Sequence, residues 1–148
     1  MNVYVAPLQG FTEAPFRHCH ASVYGAADRY YTPFLRIEHG EPRHRDMRDV
    51  TSQLNDNHDV VPQIIFRDID EFDRLIGALK EAGCRRVDLN MGCPFPPQVN
   101  KGRGAGVLRN KALLEKVAER IDAERDMTFS VKMRPGISAY DEWRDIVD

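Results

Sequence analysis

Val87–Leu108 reads VDLNMGCPFPPQVNKGRGAGVL. It opens as an apolar strand, turns polar at Asn90 and then breaks into a loop holding a thiol, three prolines and three closely spaced glycines. A buried strand that ends in polar, reactive residues is where a parallel α/β protein carries its chemistry. Cys93 is the reactive candidate, and the rest of the chain is read as its scaffold.

Working outward, the flanks of this stretch are helices. Upstream, Asp70 is expected to cap a helix with Phe72, Leu75, Ile76 and Leu79 on one face and a stop at Gly83. Downstream, Leu113, Leu114, Val117, Ala118 and Ile121 repeat at helical spacing, and Met127–Met133 follows as a strand broken by Pro135–Gly136. Further upstream, Val60–Phe66 and Arg29–Ile37 read as strands, each carrying a proline that predicts an irregular or early end. Between them, Glu38–Val50 is strongly charged and reads as a surface loop with a short helical piece. At the N-terminus, Val3–Ala6 is a short strand stopped by Pro7, and Thr12 is expected to cap a helix that runs to Gly25. Asp141–Val147 reads as the start of one more helix.

This alternation predicts a parallel sheet with helical crossovers. A complete eightfold barrel takes about 250 residues, and this chain has 148. Two architectures fit: an open doubly wound sheet, or a (β/α) barrel wall of about five strands. Hydrophobic residues at 42% and charged residues at 30% are those of a globular protein with a sizeable core. No run approaches the roughly 18 apolar residues of a membrane span. The opening MNVYVAPLQGF lacks a basic segment followed by a long apolar one, and three cysteines do not make a disulfide framework, so a reducing, cytoplasmic setting is expected. A formal net charge of −2 leaves any nucleic-acid partner to be met by a local basic patch.

Polar groups recur at the strand ends: Gln9–Gly10, Arg36, Gln63, Asn90–Cys93, and Lys132 with Arg134. In parallel α/β folds these ends share one face. Taken singly, each is most simply a surface residue; on successive strand ends they favour a site. Gly92 allows close backbone approach and Pro94 holds Cys93 extended. A free thiol titrates near pH ~8.5 and is chiefly protonated at neutral pH, which suits a proton donor as well as a nucleophile. Cys19 and Cys84 read as structural. Gly102, Gly104 and Gly106 miss both the dinucleotide and the phosphate-loop patterns and are read as a mobile loop closing over the site. His18, Cys19 and His20 do not share a helix face, so no metal is expected there. Of two basic clusters, Arg43–Arg48 is interleaved with acids, whereas Lys101, Arg103, Arg109 and Lys111 have none between them and are the better candidates for phosphate contact.

These motifs resemble the tRNA-dihydrouridine synthases. The resemblance is carried by APLQGFTEAPFR at Ala6–Arg17, VPQIIF at Val61–Phe66, VDLNMGCP at Val87–Pro94, KGRGAGVLR at Lys101–Arg109 and VKMRPG at Val131–Gly136, with YTPFLRI at Tyr31–Ile37 as second strand. It implies an FMN-dependent enzyme on a TIM barrel, of which residues 1–148 would be the N-terminal portion, without the later barrel strands or the helical tRNA-binding domain. It implies reduction of a uridine in tRNA to dihydrouridine, with NADPH reducing the flavin. By motif, Pro7 and Leu8 should line the flavin, Gln63 should hydrogen-bond its ring, Lys132 should sit near its N1–C2 edge, and Asn90 should position flavin or base. Cys93 should donate the proton, and Arg134 and Arg36 should contact substrate. A part barrel on its own is expected to bind FMN weakly and to self-associate through its open edges. Two competing readings are another flavin barrel acting on a free pyrimidine, related to dihydroorotate dehydrogenase, and a non-catalytic fragment.

Overall fold

The computed structural model describes residues 1–136 together with Ala139, Glu142 and Arg144. In chain order the elements are β1 (Tyr4–Val5), α1 (Ala14–Tyr24), β2 (Arg29–Tyr31), β3 (Ile37–Glu38), β4 (Glu41–Pro42), α2 (His44–Val50) and β5 (Val60–Val61). They continue with β6 (Gln63–Ile64), α3 (Ile69–Glu81), β7 (Arg86–Met91), α4 (Pro96–Val99), α5 (Lys111–Ala123) and β8 (Thr128–Met133). Short 3₁₀ helices occupy Gln53–Asn55 and Gly104–Arg109. Apart from Glu142 and Arg144, the helix expected over Asp141–Val147 lies outside the described residues. No helix among the described residues is long and apolar enough to cross a membrane.

The strands that follow sequence order are also lateral neighbours. β1–β2–β5 and β6–β7–β8 are parallel throughout, and only Pro62 separates β5 from β6. The order has no reversal of the kind a doubly wound sheet requires. Nor is the sheet closed: among the described residues β1 and β8 each have a neighbour on one side only.

Prolines explain the interruptions, because proline cannot donate to a ladder. β2 stops at Tyr31, before Pro33, and the chain rejoins the sheet at Leu35, which bridges Ile64. Where β2 is broken, the Thr32 hydroxyl oxygen accepts from the Gln63 N–H at 3.0 Å in place of a main-chain carbonyl. The single strand expected over Val60–Phe66 is thus two short ones.

Two helix starts differ from the sequence reading. Asp68, not Asp70, caps α3: its side chain accepts from the Glu71 N–H at 2.8 Å, and the Glu71 carboxylate accepts from the Arg67 N–H at 3.2 Å. Ahead of α1, the Thr12 hydroxyl is engaged with Leu8, and Asp49 Oδ1 receives the Ala14 N–H at 2.5 Å. A carboxylate from α2 therefore caps α1, and the same carboxylate holds the fully buried Arg17. The charged Glu38–Val50 segment is a hairpin turning at His39–Gly40, followed by α2.

The core lies between the β6–β7–β8 sheet and α3, α5 and the Gly104–Arg109 turn. It gathers Leu35, Ile64, Phe66, Val87, Leu89 and Met91 against Phe72, Leu75, Leu79, Val107, Leu113 and Val117. Burying the four apolar side chains of the α3 face contributes about 6–12 kcal/mol of transfer free energy before entropy is counted. Because strand side chains alternate, Val87, Leu89 and Met91 take this core and Asp88 and Asn90 face the other way.

Candidate active site

That other face is polar and in register. Gln63 pairs Asp88 and Asp88 pairs Ser130, so three polar side chains stand at one height across β6, β7 and β8, with Asn90 paired to Lys132 above them. They form a relay. Ser130 Oγ donates to Asp88 Oδ1 at 2.7 Å, and Gln63 Nε2 donates to Asp88 Oδ2 at 2.6 Å. Asn90 Nδ2 donates to Gln63 Oε1 at 2.7 Å. Asn90 Oδ1 then accepts the N–H groups of Cys93 at 2.9 Å and Gly92 at 3.3 Å. An acid acceptor at one end fixes which way both amides point, and the last amide fixes the loop that carries the thiol.

The loop is also held from below. The Cys93 carbonyl accepts from the Ala105 N–H at 3.0 Å. Gly104 has φ +57, and a Cβ there would lie 2.7 Å from the Cys93 carbonyl oxygen. At Gly92 a Cβ would meet the Lys132 carbonyl oxygen at 3.3 Å, so glycine lets the Cys93 loop close onto the end of β8 beside Arg134. The glycine stretch expected to be a mobile lid is accordingly a folded turn with Gly104–Leu108 buried beneath Cys93. Its glycines serve close approach.

Beside the relay is a cavity of about 270 Å³ lined by Tyr4, Ala6, Pro7, Tyr31, Asp88, Ser130, Val131 and Lys132. Of the expected flavin residues, Pro7 and Lys132 line it. The Lys132 ammonium has no hydrogen-bond or ion-pair partner among the described residues. Burial raises the Asp88 carboxyl above its ordinary value, against the hydrogen bonds from Ser130 and Gln63 and the charge of Lys132. Gln63 is fully buried with its amide engaged in the relay, and it does not line the cavity. Leu8 is exposed in the turn just past Pro7. Cys93, a half-buried free thiol, sits on the loop above β7.

The expected substrate contacts divide. Arg134 is exposed at the end of β8, next to Gly92. Arg36, Lys101 and Arg103 line a separate cavity of about 700 Å³ between the β3–β4 hairpin, α3 and α4. Arg103 is committed there to a structural role. It is buried, its Nη2 and Nε donate to Glu71 at 2.5 and 3.0 Å, and Nη2 also donates to the Ile37 carbonyl at 3.1 Å. Asp88 and Ser130 were not anticipated. The available signal was phase: each lies two residues before an expected site residue, Asn90 and Lys132, and so shares its face.

A parallel α/β scaffold with a thiol-bearing loop latched through its main chain, two oriented amides and an ammonium without a partner among the described residues, at the carboxyl ends of its strands, has the build of an enzyme site. The chain belongs to the dihydrouridine synthase (Dus) family, whose model matches residues 4–148. It is 31% identical over 145 residues to the "Probable tRNA-dihydrouridine synthase 2" of Bacillus subtilis (strain 168), covering 95% of this chain and 43% of that protein. It is 32% identical over 146 residues to a "Probable tRNA-dihydrouridine synthase" of Staphylococcus epidermidis, again covering 95% of this chain and 43% of the relative. A third such protein, from Staphylococcus aureus (strain Mu50), is 30% identical over 144 residues, with the same coverage. The chain thus spans less than half the length of these curated relatives.

Proposed function

We propose that this chain is the N-terminal part of a flavin-dependent (β/α)₈ barrel that reduces a uridine of tRNA to 5,6-dihydrouridine. The carrying observation is the relay from Asp88 through Gln63 and Asn90 to the Cys93 backbone, beside a cavity lined by Lys132. The uninterrupted lateral order of parallel strands suits a barrel wall. The relatives' names support the substrate, and their greater length allows for the remaining strands and a tRNA-binding domain.

The residues present fit the ring portion of FMN. Pro7, Tyr31 and Val131 offer a wall for a flat aromatic system, and Lys132 offers a cation for its electron-rich pyrimidine edge. When bound and reduced, the flavin would supply the hydride equivalent needed at C6 of the uracil, with NADPH as the source of reducing equivalents. Cys93 gives its Sγ proton to C5, so the C5=C6 π bond is replaced by two C–H bonds, and the thiolate recovers its proton from solvent. Lys132 would offset negative charge at the edge of a bound cofactor. Asn90 keeps the Cys93 main chain in place, and Gln63 and Asp88 orient Asn90. Arg134, at the mouth, receives the substrate strand. Lys101 and Arg36 contact RNA phosphate further out, and Arg103 positions the wall between them.

The test is single-turnover reduction of unmodified tRNA by the intact protein loaded with FMN. Cys93→Ala should lower the rate by about 10²–10⁴-fold while NADPH still reduces the flavin at the parent rate. Unchanged tRNA reduction by Cys93→Ala would remove the proton-donor role. Turnover of free uracil or orotate without tRNA would select the free-pyrimidine reading.

A further inference from the structure

The relay has a direction that can be followed back to the cavity. Main-chain N–H groups only donate, so those of Cys93 and Gly92 fix Asn90 with Oδ1 toward them and Nδ2 toward Gln63. Gln63 then turns Oε1 to Asn90 and Nε2 to Asp88 Oδ2. The Asp88 carboxylate, 3% exposed, has only acceptors to offer. Its remaining oxygen, Oδ1, therefore takes the Ser130 hydroxyl proton, with 2.7 Å between the oxygens. Backbone amides at one end of the chain of hydrogen bonds thus decide what a serine does at the other.

Unlike the buried Gln63, Asp88 and Asn90, Ser130 is exposed, and it lines the 270 Å³ cavity. A hydroxyl has one proton and two lone pairs. With the proton committed to Asp88, Ser130 Oγ can only accept from a ligand, and no donor among the described residues occupies it. Two residues on, about 6–7 Å along β8 and on the same face, the Lys132 ammonium can only donate. The Tyr4 and Tyr31 hydroxyls can do either and impose no sign. The cavity therefore presents a fixed acceptor beside a fixed donor, on a wall otherwise lined by Ala6, Pro7 and Val131. Its complement is a flat ligand with an N–H next to an acceptor. A ring imide, an N–H between two carbonyls, has that edge.

Flavin and uracil both carry such an imide. Ser130 stands level with Asp88, one register step below the Asn90–Lys132 pair and farther along the strand from the Cys93 loop and Arg134. The deeper ligand, the cofactor, is the one it meets. We propose that Ser130 selects the flavin: its hydroxyl, made a pure acceptor by Asp88, takes the ring imide N–H, while Lys132 meets the neighbouring electron-rich edge. The inference rests on the flavin-dependent reading of this site, and its test measures binding rather than turnover so that the two can fail separately.

The measurement is titration of the intact apoprotein with FMN and with 3-methyl-FMN, in which a methyl group replaces the imide hydrogen, followed by flavin fluorescence. The parent should bind FMN at least about fivefold more tightly, as for the loss of one neutral hydrogen bond. Ser130→Ala should bring the two affinities together, and Ser130→Thr, which keeps the hydroxyl, should restore the difference. Asp88→Asn is the sharper variant, because it changes almost no volume and leaves Ser130 in place. Gln63 Nε2 still needs an acceptor, so the new amide turns its oxygen there and its NH₂ to Ser130. That frees the serine hydroxyl to donate into the cavity, and the preference for FMN should be lost. Equal affinity of the two flavins for the parent would overturn the proposal without any variant having to fold. So would a preference that survives Ser130→Ala or Asp88→Asn. A Ser130-dependent preference for uridine over 3-methyluridine in an RNA hexamer, with none between the flavins, would give the contact to the substrate and overturn the cofactor assignment. Failure of either flavin to bind at all would remove the flavin reading with it.

Discussion

Replacing Arg103 by alanine separates a scaffold residue from a substrate contact. Its guanidinium and the Glu71 carboxylate are both buried, with side-chain exposures of 8% and 6%. Removing Arg103 leaves the buried Glu71 carboxylate with only the half-exposed Arg67 guanidinium beside it, and stranding a buried charge costs up to about 3–5 kcal/mol. Against the roughly 5–15 kcal/mol that holds a domain folded, this is a large fraction. For a chain of about this size each kcal/mol moves Tm by roughly 2–4 °C, so a fall of several degrees, up to about 20 °C, is expected. Glu71 also receives the Arg67 N–H at the start of α3, so the first turn of that helix should fray with it. The assay is thermal unfolding by circular dichroism, with Lys101→Ala as the exposed control, expected within about 0.5 kcal/mol of the parent. A cycle pairing Arg103→Met with Glu71→Gln should return a coupling of about 1–3 kcal/mol. If Arg103→Ala melted like the parent and instead lost RNA affinity, the structural assignment would be wrong and the phosphate-contact reading of Arg103 would return.

Other consequences are as direct. Gly104→Ala combines a positive φ with a Cβ placed 2.7 Å from the Cys93 carbonyl; it should cost about 2–4 kcal/mol in urea unfolding and displace the thiol loop. Asp88→Asn should be more stable than the parent at neutral pH, because burial raises the native carboxyl and its ionisation opposes folding. That advantage should shrink as pH falls through the raised native value and vanish below the ordinary value of 3.8, where both states are protonated. Asp59 has the opposite sign: Arg86, then Arg29, hold its carboxyl below the ordinary range, so its contribution is present above that range and lost as pH falls through the depressed value. Asp59→Asn should flatten the acid limb of a Tm–pH curve. With β1 and β8 unpaired on their outer sides among the described residues and Val131 exposed at 47%, the 148-residue chain alone should elute above monomer mass in size-exclusion chromatography with light scattering. A flavin-loaded monomer would contradict this.

Elements with a strong period were legible. The α3 face reads directly from Phe72, Leu75, Ile76 and Leu79, and Gly83 marks its end. The cap was misplaced because Asp68 and Asp70 are the same residue type two positions apart. The discriminating sign was Asp68 three residues ahead of Glu71, a capping-box spacing. Two-residue strands such as β3 and β4 carry no alternation to detect. The relay was legible only in its parts: Gln63 stands 25 residues from Asp88 and 27 from Asn90, and nothing local states that β6 and β7 bring them together. Arg103 misled for the same reason, since Glu71, which neutralises it, lies 32 residues away. Glycine spacing suggested mobility, whereas at Gly104 it reflects a carbonyl pressed against the backbone.

These contacts explain how a thiol on a loop can be positioned as if it stood on a strand. The Cys93 main chain is fixed from three directions: by Asn90 at the head of β7, by the Ala105 N–H beneath it, and by the end of β8 against Gly92. Each anchor belongs to an element rooted in the same core, through Leu89 on β7, Val107 and Leu108 on the buried turn, and the partly buried Phe129 and Met133 on β8. Packing defects in that core, far from any reacting atom, must therefore reach the thiol through its backbone. If Cys93 is the proton donor proposed above, a cavity made by Val107→Ala should lower the rate of tRNA reduction beyond what its loss of stability explains, because a displacement of about 1 Å in a reacting group can cost 10²-fold.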